Sequence, residues 1–475
     1  MSENLGVYAK REATKVSSPN VAKVSIPYFV GTAPVHMAAK AGRAGAPVLC
    51  NSWDEAVEKL GFSEDWERYT LCQAMYSHFQ LYGCRPAVFC NVLDAGATGM
   101  IETVEAADRT VTDHKVELSA DMTRGDLVVK SGENTLTAGV DYMAYYNETA
   151  LAVELLEDGA YYTEKTLNIA GKKVKPDAVK SADIAEGVGK VDLCMTTLGV
   201  VPDLILAPGW SDDSVVAAVM AAKAESICGI FKGKALVDIP AKTGGVTSYE
   251  QLNAYKSQNN LTDFRQIPCW PMVKLGDKKF HLSTHMAGLM ATVDAANNGI
   301  PYESPSNKNL KIDGAILADG TSVDLTWPQV DMIAGDWGVV TAVNFLDMGW
   351  VAKGNYTACF PGNTDPASHF IPNSRMLDFI GNTAVRTFWP KLDKPMNIPL
   401  VRSIASTMNG WLDALWAGGY LNGARVELLA DENALADLMK GIITFHVYEA
   451  SPVPAQKIVF KMEYDVSYLS SAIAI

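Results

Sequence analysis

The chain lacks, in concentrated form, the residues that a nucleic-acid, metal or redox protein needs. Its 475 residues hold 40 Lys and Arg against 54 Asp and Glu, a formal charge of −14, with no basic stripe along them. Binding to a phosphate backbone is excluded on that ground, because such contacts demand clustered cations. The eight cysteines (50, 72, 84, 90, 194, 228, 269 and 359) are scattered, with no Cys-x-x-Cys pair and no His at ligand spacing. That removes a zinc site and leaves buried thiols of a reducing compartment. No apolar run approaches the ~20 residues needed to span a bilayer. The opening stretch MSENLGVYAKREATKVSSPN has no apolar centre of a signal peptide. These absences predict a protein without membrane insertion, made and kept in the cytosol.

Catalytic signatures are equally sparse. Gly187-Val-Gly189 lacks the third glycine of a dinucleotide fingerprint and precedes a strand instead of following one. Gly229-Ile-Phe-Lys-Gly-Lys-Ala235 has too short a spacer, and no Ser or Thr, for a phosphate loop. His281-Leu-Ser-Thr-His285 spaces two imidazoles as a zinc-protease helix does, but Leu282 occupies the place of the general-base Glu. Gly209-Trp-Ser211-Asp-Asp213 ends in Asp where a nucleophile elbow needs glycine, so Asp212 and Asp213 read better as helix caps. No catalytic, metal-binding or cofactor-binding residue is nominated, and the balance shifts from an enzyme towards a structural protein.

What the chain does contain is apolar residues in ordered periods. Apolar residues make up 48% and charged residues 20%, with 37 Gly and 22 Pro; that is the composition of a folded protein with many loops, long enough for roughly two to four domains. The most consistent signals lie in residues 373–475. Leu400, Val401, Ile404, Met408, Trp411, Leu412, Leu415 and Trp416 recur at helical spacing, and Gly418-Gly419 supplies left-handed residues to close that helix. A shorter helix is expected over 431–440, with Asp431 as N-cap and Glu432 complementing the dipole. Leu435, Leu438 and Met439 share its face, and Gly441 stops it.

The period then changes to two. Ile443, Phe445 and Val447 alternate with Thr444, His446 and Tyr448; after Ser451-Pro-Val-Pro454, Ile458, Phe460, Met462, Tyr464 and Val466 alternate with their neighbours. The final strand so predicted runs about ten residues, roughly twice the usual length. A long half-apolar strand needs a partner, either its own sheet or a neighbouring copy of the chain.

Taken in order, residues 1–22 form a polar extended arm with one apolar patch at Leu5-Gly-Val-Tyr8. Strands are expected at Val24–Val30, Pro47–Cys50 and Ala87–Val92, with Pro27 placing the first at a sheet edge. Helices are expected from Ser52 or Asp54 to Leu60 and from Tyr69 to Tyr82. Residues 93–189 change texture: short β-type runs at 115–118, 126–130, 142–146, 151–155 and 166–169 alternate with turns, and no convincing helix intervenes. They read as an all-β outer domain of sandwich or barrel type. Strands at Leu204–Ala207 and Ala235–Ile239, an Ala-rich helix capped by Asp212 or Asp213, and a helix over His285–Ala296 restore the α/β pattern. The fold class is therefore α/β multidomain, with a discontinuous α/β middle domain (23–92 and 190–372), an inserted all-β outer domain and an inner α+β C-terminal domain (373–475). The residues alone leave open a doubly wound enzyme with a β insertion, which requires a pocket of converging titratable groups near Pro208–Asp213, or a non-contractile capsid or tube component.

Both ends of the chain resemble the contractile tail sheath proteins of phages, bacteriocin particles and related injection systems. Gly6-Val-Tyr8 matches the family's arm motif, with Leu5 where Pro is usual. Asn20–Pro34 (NVAKVSIPYFVGTAP) matches its first strand and exit, and Pro47-Val-Leu, Leu60-Gly61, Tyr69-Thr-Leu71, Phe79 and Tyr82-Gly83 follow in order. Arg375–Ile380, Trp411–Trp416, Gly419–Ala424 and Pro454–Phe460 fit its C-terminal domain, with Gln456 where Glu is typical. The likeness covers about 1–92 and 190–475; the β block matches in position only.

The resemblance implies a structural, non-enzymatic subunit of sixfold rings stacked helically around a tail tube, with baseplate and tail terminator proteins as further partners and no cofactor. It implies that the arm (Leu5, Gly6, Val7, Tyr8) and the last strand (Ile458, Phe460, Met462, Tyr464, Val466) pair with neighbouring subunits. By the same likeness the 431–440 helix (Asp431, Glu432, Leu435, Leu438, Met439) touches the tube. Contraction by rigid-body domain movement would drive the tube through a target envelope, as in genome ejection, from a virion tail or injection particle assembled in a bacterial host's cytoplasm.

Overall fold

Strands that are apolar on both sides can be buried only between two layers of other structure, as in parallel sheets covered by helices. The chain meets that demand with a six-stranded sheet of β1 (Pro27–Gly31), β2 (Pro47–Cys50), β3 (Ala87–Asn91), β4 (Leu204–Leu206), β5 (Lys234–Asp238) and β6 (Gln266–Cys269). The computed structural model describes residues 19–147 and 149–468. The strand order is β6-β5-β4-β1-β3-β2, parallel throughout except for β2 against β3. Tyr28 lies between Ile205 and Val88, and Leu206 faces Leu236. Every residue of β1, β3 and β5 is buried. β1 is thus central, not the edge strand expected from Pro27. Proline is accommodated there because it is the strand's first residue.

The covering helices start and stop where side chains dictate. α1 (Trp53–Leu60) begins at Ser52, whose Oγ accepts a 3.2 Å bond from the Glu55 amide. α2 (Thr70–Met75) continues as a π-helical turn over Tyr76–Leu81 and ends before Gly83 at φ +64°. α3 (Ser181–Gly189) was not expected from the sequence, which shows two glycines and little periodicity. Its reason is close packing: a Cβ at Gly187 would sit 2.7 Å from both Val30 and Val92, and Tyr28 Oη donates to the Gly187 carbonyl at 2.7 Å. α4 (Ser214–Glu225) is capped by Asp213, and α5 (Leu282–Ala296) follows the last parallel strand.

Between β3 and α3 lie two antiparallel sheets. Ile101–Thr110 pairs with Thr166–Val174, which also pairs with Val128–Ser131; the other sheet joins Lys115–Ser119, Ala150–Leu155 and Tyr142–Tyr146. Val129, Leu151, Val153 and Leu167 form their own buried core. The Ile101–Thr110 strand escaped the sequence reading because it is mostly exposed and has no alternation. The Asp121 carboxylate fastens this block to the α/β body, accepting from Arg68 Nη2 at 2.7 Å and Tyr69 Oη at 2.6 Å.

The C-terminal part packs α6 (Ile371–Phe388) and α7 (Ile398–Ala417) against a two-stranded antiparallel sheet, β7 (Gly423–Glu427) and β8 (His446–Ala450). Asn397 caps α7 by accepting from the Leu400 amide at 2.9 Å, and the left-handed residue at its other end is Gly419 alone, φ +79°. Phe379, Met408, Trp411, Leu412 and Leu415 form the core. β8 begins three residues later than the period-2 pattern at Ile443 suggests, and its partner β7 was not anticipated.

Buried charges join this part to the amino ends of the parallel strands. Arg375 of α6 donates to Asp294 of α5 through Nη1 at 3.2 Å and Nη2 at 2.5 Å, and to Ser25 Oγ at 2.9 Å. Asp203, just before β4, lies 3.9 Å from the same guanidinium and accepts from the Ile26 amide at 2.8 Å. Beside them Asp378 receives Arg265 at 2.6 Å and Lys234 at 3.1 Å. Six charges removed from water in one place, each with an opposite neighbour, make a joint that is costly to open.

Candidate functional site

The chain leaves β8 at Ser451-Pro-Val-Pro454 and runs on without regular structure to Asp465. The strand expected at Ile458, Phe460, Met462, Tyr464 and Val466 is therefore not formed among the described residues. A strand exists only as half of a ladder, and the strand pairings of the described residues include no partner for this segment. Its side chains are left in water: Ile458 is 72% exposed, Phe460 83% and Met462 95%. Contiguous apolar exposure of this kind marks an interaction surface.

The arm residues Leu5, Gly6, Val7 and Tyr8 lie outside the described residues. The segment that follows them is anchored on α6. The Asn20 amide donates to Thr387 Oγ1 at 3.0 Å, the Ala22 amide to Thr383 Oγ1 at 3.1 Å, and Ala22 enters the C-terminal core.

The helix expected over 431–440 contracts to one turn, Leu435–Leu438, with Ala434 in the cap position instead of Asp431. The residues before it are held in another conformation by side-chain bonds. Asn433 Nδ2 donates to the Leu429 and Thr444 carbonyls, its Oδ1 accepts from the Thr444 amide, and Glu432 pairs with His446 at 2.7 Å. Gly441, φ +81°, does end the turn. Leu435 and Met439 are 73% and 80% exposed, whereas Leu438 is half-buried. Trp389, Leu392 and Ile398 at the α6–α7 connection add exposed apolar surface that no sequence motif flagged, and Trp416, expected on the apolar face of α7, is 58% exposed. Isolated exposed apolar residues look like core residues in a sequence; only packing separates them.

The rival catalytic motifs resolve as structure. His281 precedes α5 and places Nδ1 3.0 Å from Gln73 Oε1, while His285 is buried inside the helix against Tyr82 and Phe280, and burial lowers its pKa to about 3. Asp213 caps α4 and Asp212 pairs with Lys242 at 2.6 Å. Among the described residues no group of His, Cys, Asp and Glu could hold a metal ion. All eight cysteines are free thiols, six of them buried.

A crevice of about 970 Å³ does open at the carboxyl ends of β4 and β5, lined by Gly209, Asp212, Asp238 and His281 among others. Its buried carboxylate is already committed: Asp238 accepts from the Ser283 amide at 2.9 Å and from Ser283 Oγ at 2.5 Å, so it caps the positive end of α5. The nearby hydroxyls of Ser211 and Ser283 bond to Asp238 and not to the imidazole, so no activated nucleophile is assembled.

No family model matches the chain, and no curated protein matches it in sequence. Solved structures do. A sheath complex of an extracellular contractile injection system in its contracted state aligns over 98% of this chain and 99% of its own, with a TM-score of 0.58 at 13% identity. The helical sheath of the anti-feeding prophage, also contracted, aligns over 98% and 100%, with a TM-score of 0.57 at 15% identity. A sheath tail protein from Desulfitobacterium hafniense aligns over 89% and 93%, with a TM-score of 0.50 at 14% identity. From the anchored entry of the chain through the parallel sheet to the exposed segment 458–466, the architecture is the fold of the contractile sheath proteins.

Proposed function

We propose that this chain is the structural subunit of a contractile sheath and polymerises around a tube. The observation that carries the reading is the apolar segment 458–466, left in water with no ladder of its own in a fold otherwise shared with sheath proteins. Backbone pairing with a neighbouring copy buries that segment and satisfies its amides at once. The arm at Leu5–Tyr8 serves a second such contact, and the surface around Leu435, Leu438 and Met439 contacts the tube. The partners are then other copies in sixfold stacked rings, the tube protein, and baseplate and terminator proteins at the two ends. The subunit carries no catalytic activity; the free energy of contraction is stored in the assembled lattice and released by rigid movements of whole domains. The buried joint at Arg375 supports this, because it keeps α6 and the parallel sheet together while exposed segments flex.

Electron microscopy of the purified protein tests the proposal. Hollow sleeves of uniform width are the expected product, and compact monomers at every concentration would refute it.

A further inference from the structure

The crevice at the carboxyl ends of β4 and β5 is not used by the assembly reading. It sits where strand order reverses: from β1 the chain runs outward to β2 and β3, then returns to lay down β4, β5 and β6 on the other side. In open α/β sheets, that point and that end form a natural ligand crevice. Its volume of about 970 Å³ is that of a small-molecule site. Met272 and Leu275 give it apolar walls, and the nearly buried Trp66 ring lies under the Lys278 ammonium at 5.0 Å.

Two polar groups face one another across this wall. Gln73 is 2% exposed, and its Oε1 accepts both the amide of His281 and Nδ1–H of the same residue, at 2.9 and 3.0 Å. With Nδ1 of His281 donating to Gln73, Nε2 of that ring is left as an acceptor. Gly209 keeps the floor open: it adopts φ +79°, and a Cβ there would lie 3.4 Å from the His281 ring.

Charge selects among ligands. The lysines of the crevice are engaged: Lys278 with Glu64, Lys242 with Asp212, and Lys279 with the Ala318 carbonyl. The helix dipole that would attract an anion is occupied by Asp238. Glu67 and Asp277, exposed on the rim, carry no ion pair among the described residues. The surplus is negative, so phosphorylated or carboxylated ligands are disfavoured.

We propose that this crevice binds a small heteroaromatic compound that is cationic or uncharged, its ring against the apolar wall and a ring N–H donating to His281 Nε2. Three probes that share one ring and differ in charge test this: tryptamine, indole and indole-3-acetate, titrated into the full-length protein by calorimetry. Saturable binding of tryptamine, at least tenfold tighter than indole-3-acetate, is expected. Met272→Trp, which fills the crevice from a half-buried position, should weaken tryptamine tenfold or more. Asp277→Lys, on an exposed turn, should weaken tryptamine while leaving indole unchanged, and serves if the first variant does not fold. The absence of saturable binding by all three probes, equal or tighter binding of the anion, or affinities untouched by both substitutions would overturn the assignment. These outcomes are independent of whether the protein polymerises.

Discussion

Single residues carry the joint between the parallel sheet and the C-terminal helices. Arg375 is 4% exposed and is the common partner of Ser25, Asp203 and Asp294. Removing one member of a buried ion cluster strands the others, which costs about 3–5 kcal/mol. Arg375→Met should lower stability in urea by about that amount. Arg375→Met combined with Asp294→Leu should recover part of it, since one stranded charge leaves with its partner. Equal loss in both variants would show that packing, not charge, sets the cost.

Protonation acts at the same scale. Burial holds His78 down to about 4 and His285 down to about 3, against an ordinary value near 6.5. The unfolded chain therefore binds protons that the folded chain refuses, and the stability these residues contribute above pH ~6.5 is lost as pH falls towards 4. The slope reaches about 1.4 kcal/mol per pH unit for each histidine. Asp203, raised by burial to about 6, works the other way: the folded state binds its proton first, so that carboxyl favours folding as pH falls through 6. His78→Leu should flatten the decline of the thermal midpoint between pH 6.5 and 4.5, and Asp203→Asn should steepen it. His78 is fully buried among Phe29 and Phe79, so leucine suits its place.

At the scale of elements, the single turn at Leu435–Leu438 is positioned by Asn433 and by the Glu432–His446 pair, not by its own helical propensity. If its exposed face meets the tube, Leu435→Asp with Met439→Asp should leave folding unchanged, within about 0.5 kcal/mol as for other surface changes. Co-sedimentation with tube protein should fall severalfold, and undiminished co-sedimentation would remove this surface from the contact. The tail is the other decisive element. A chain ending at Pro454 loses, among the described residues, only exposed ones, so it should unfold at the same temperature as the full chain yet fail to form polymers in light scattering. Polymer formed by that truncated chain would dismiss strand exchange through 458–466.

The whole molecule places its tasks at opposite ends of one sheet. The amino ends of the strands hold the ion joint and the C-terminal helices; the carboxyl ends hold the crevice; the antiparallel block hangs between β3 and α3, fixed through Asp121. If the chain assembles as proposed, movement inside the lattice should carry the parallel sheet and α6 as one body. Hydrogen exchange in extended and contracted sleeves should therefore show equal protection of α5 and α6, and a change confined to that joint would place a hinge there.

The strands with doubly apolar runs, the caps to within one of two candidates (Ser52 or Asp54, Asp212 or Asp213) and the long amphipathic α7 were legible in the sequence, because periodicity and capping are local physics. The alternation over 458–466 was equally legible, but the strand it suggests is not formed among the described residues. Tertiary structure alone decided what depends on distant contacts. It put β1 at the centre of the sheet, allowed α3 to form by seating Gly187 against Val30 and Val92, shortened the helix at 431–440 through Asn433, and gathered Gln73, Asp238 and His281 at one crevice. Those outcomes rest on pairs of residues up to some two hundred positions apart, whose free energy of contact exists only once the chain has closed the loops between them.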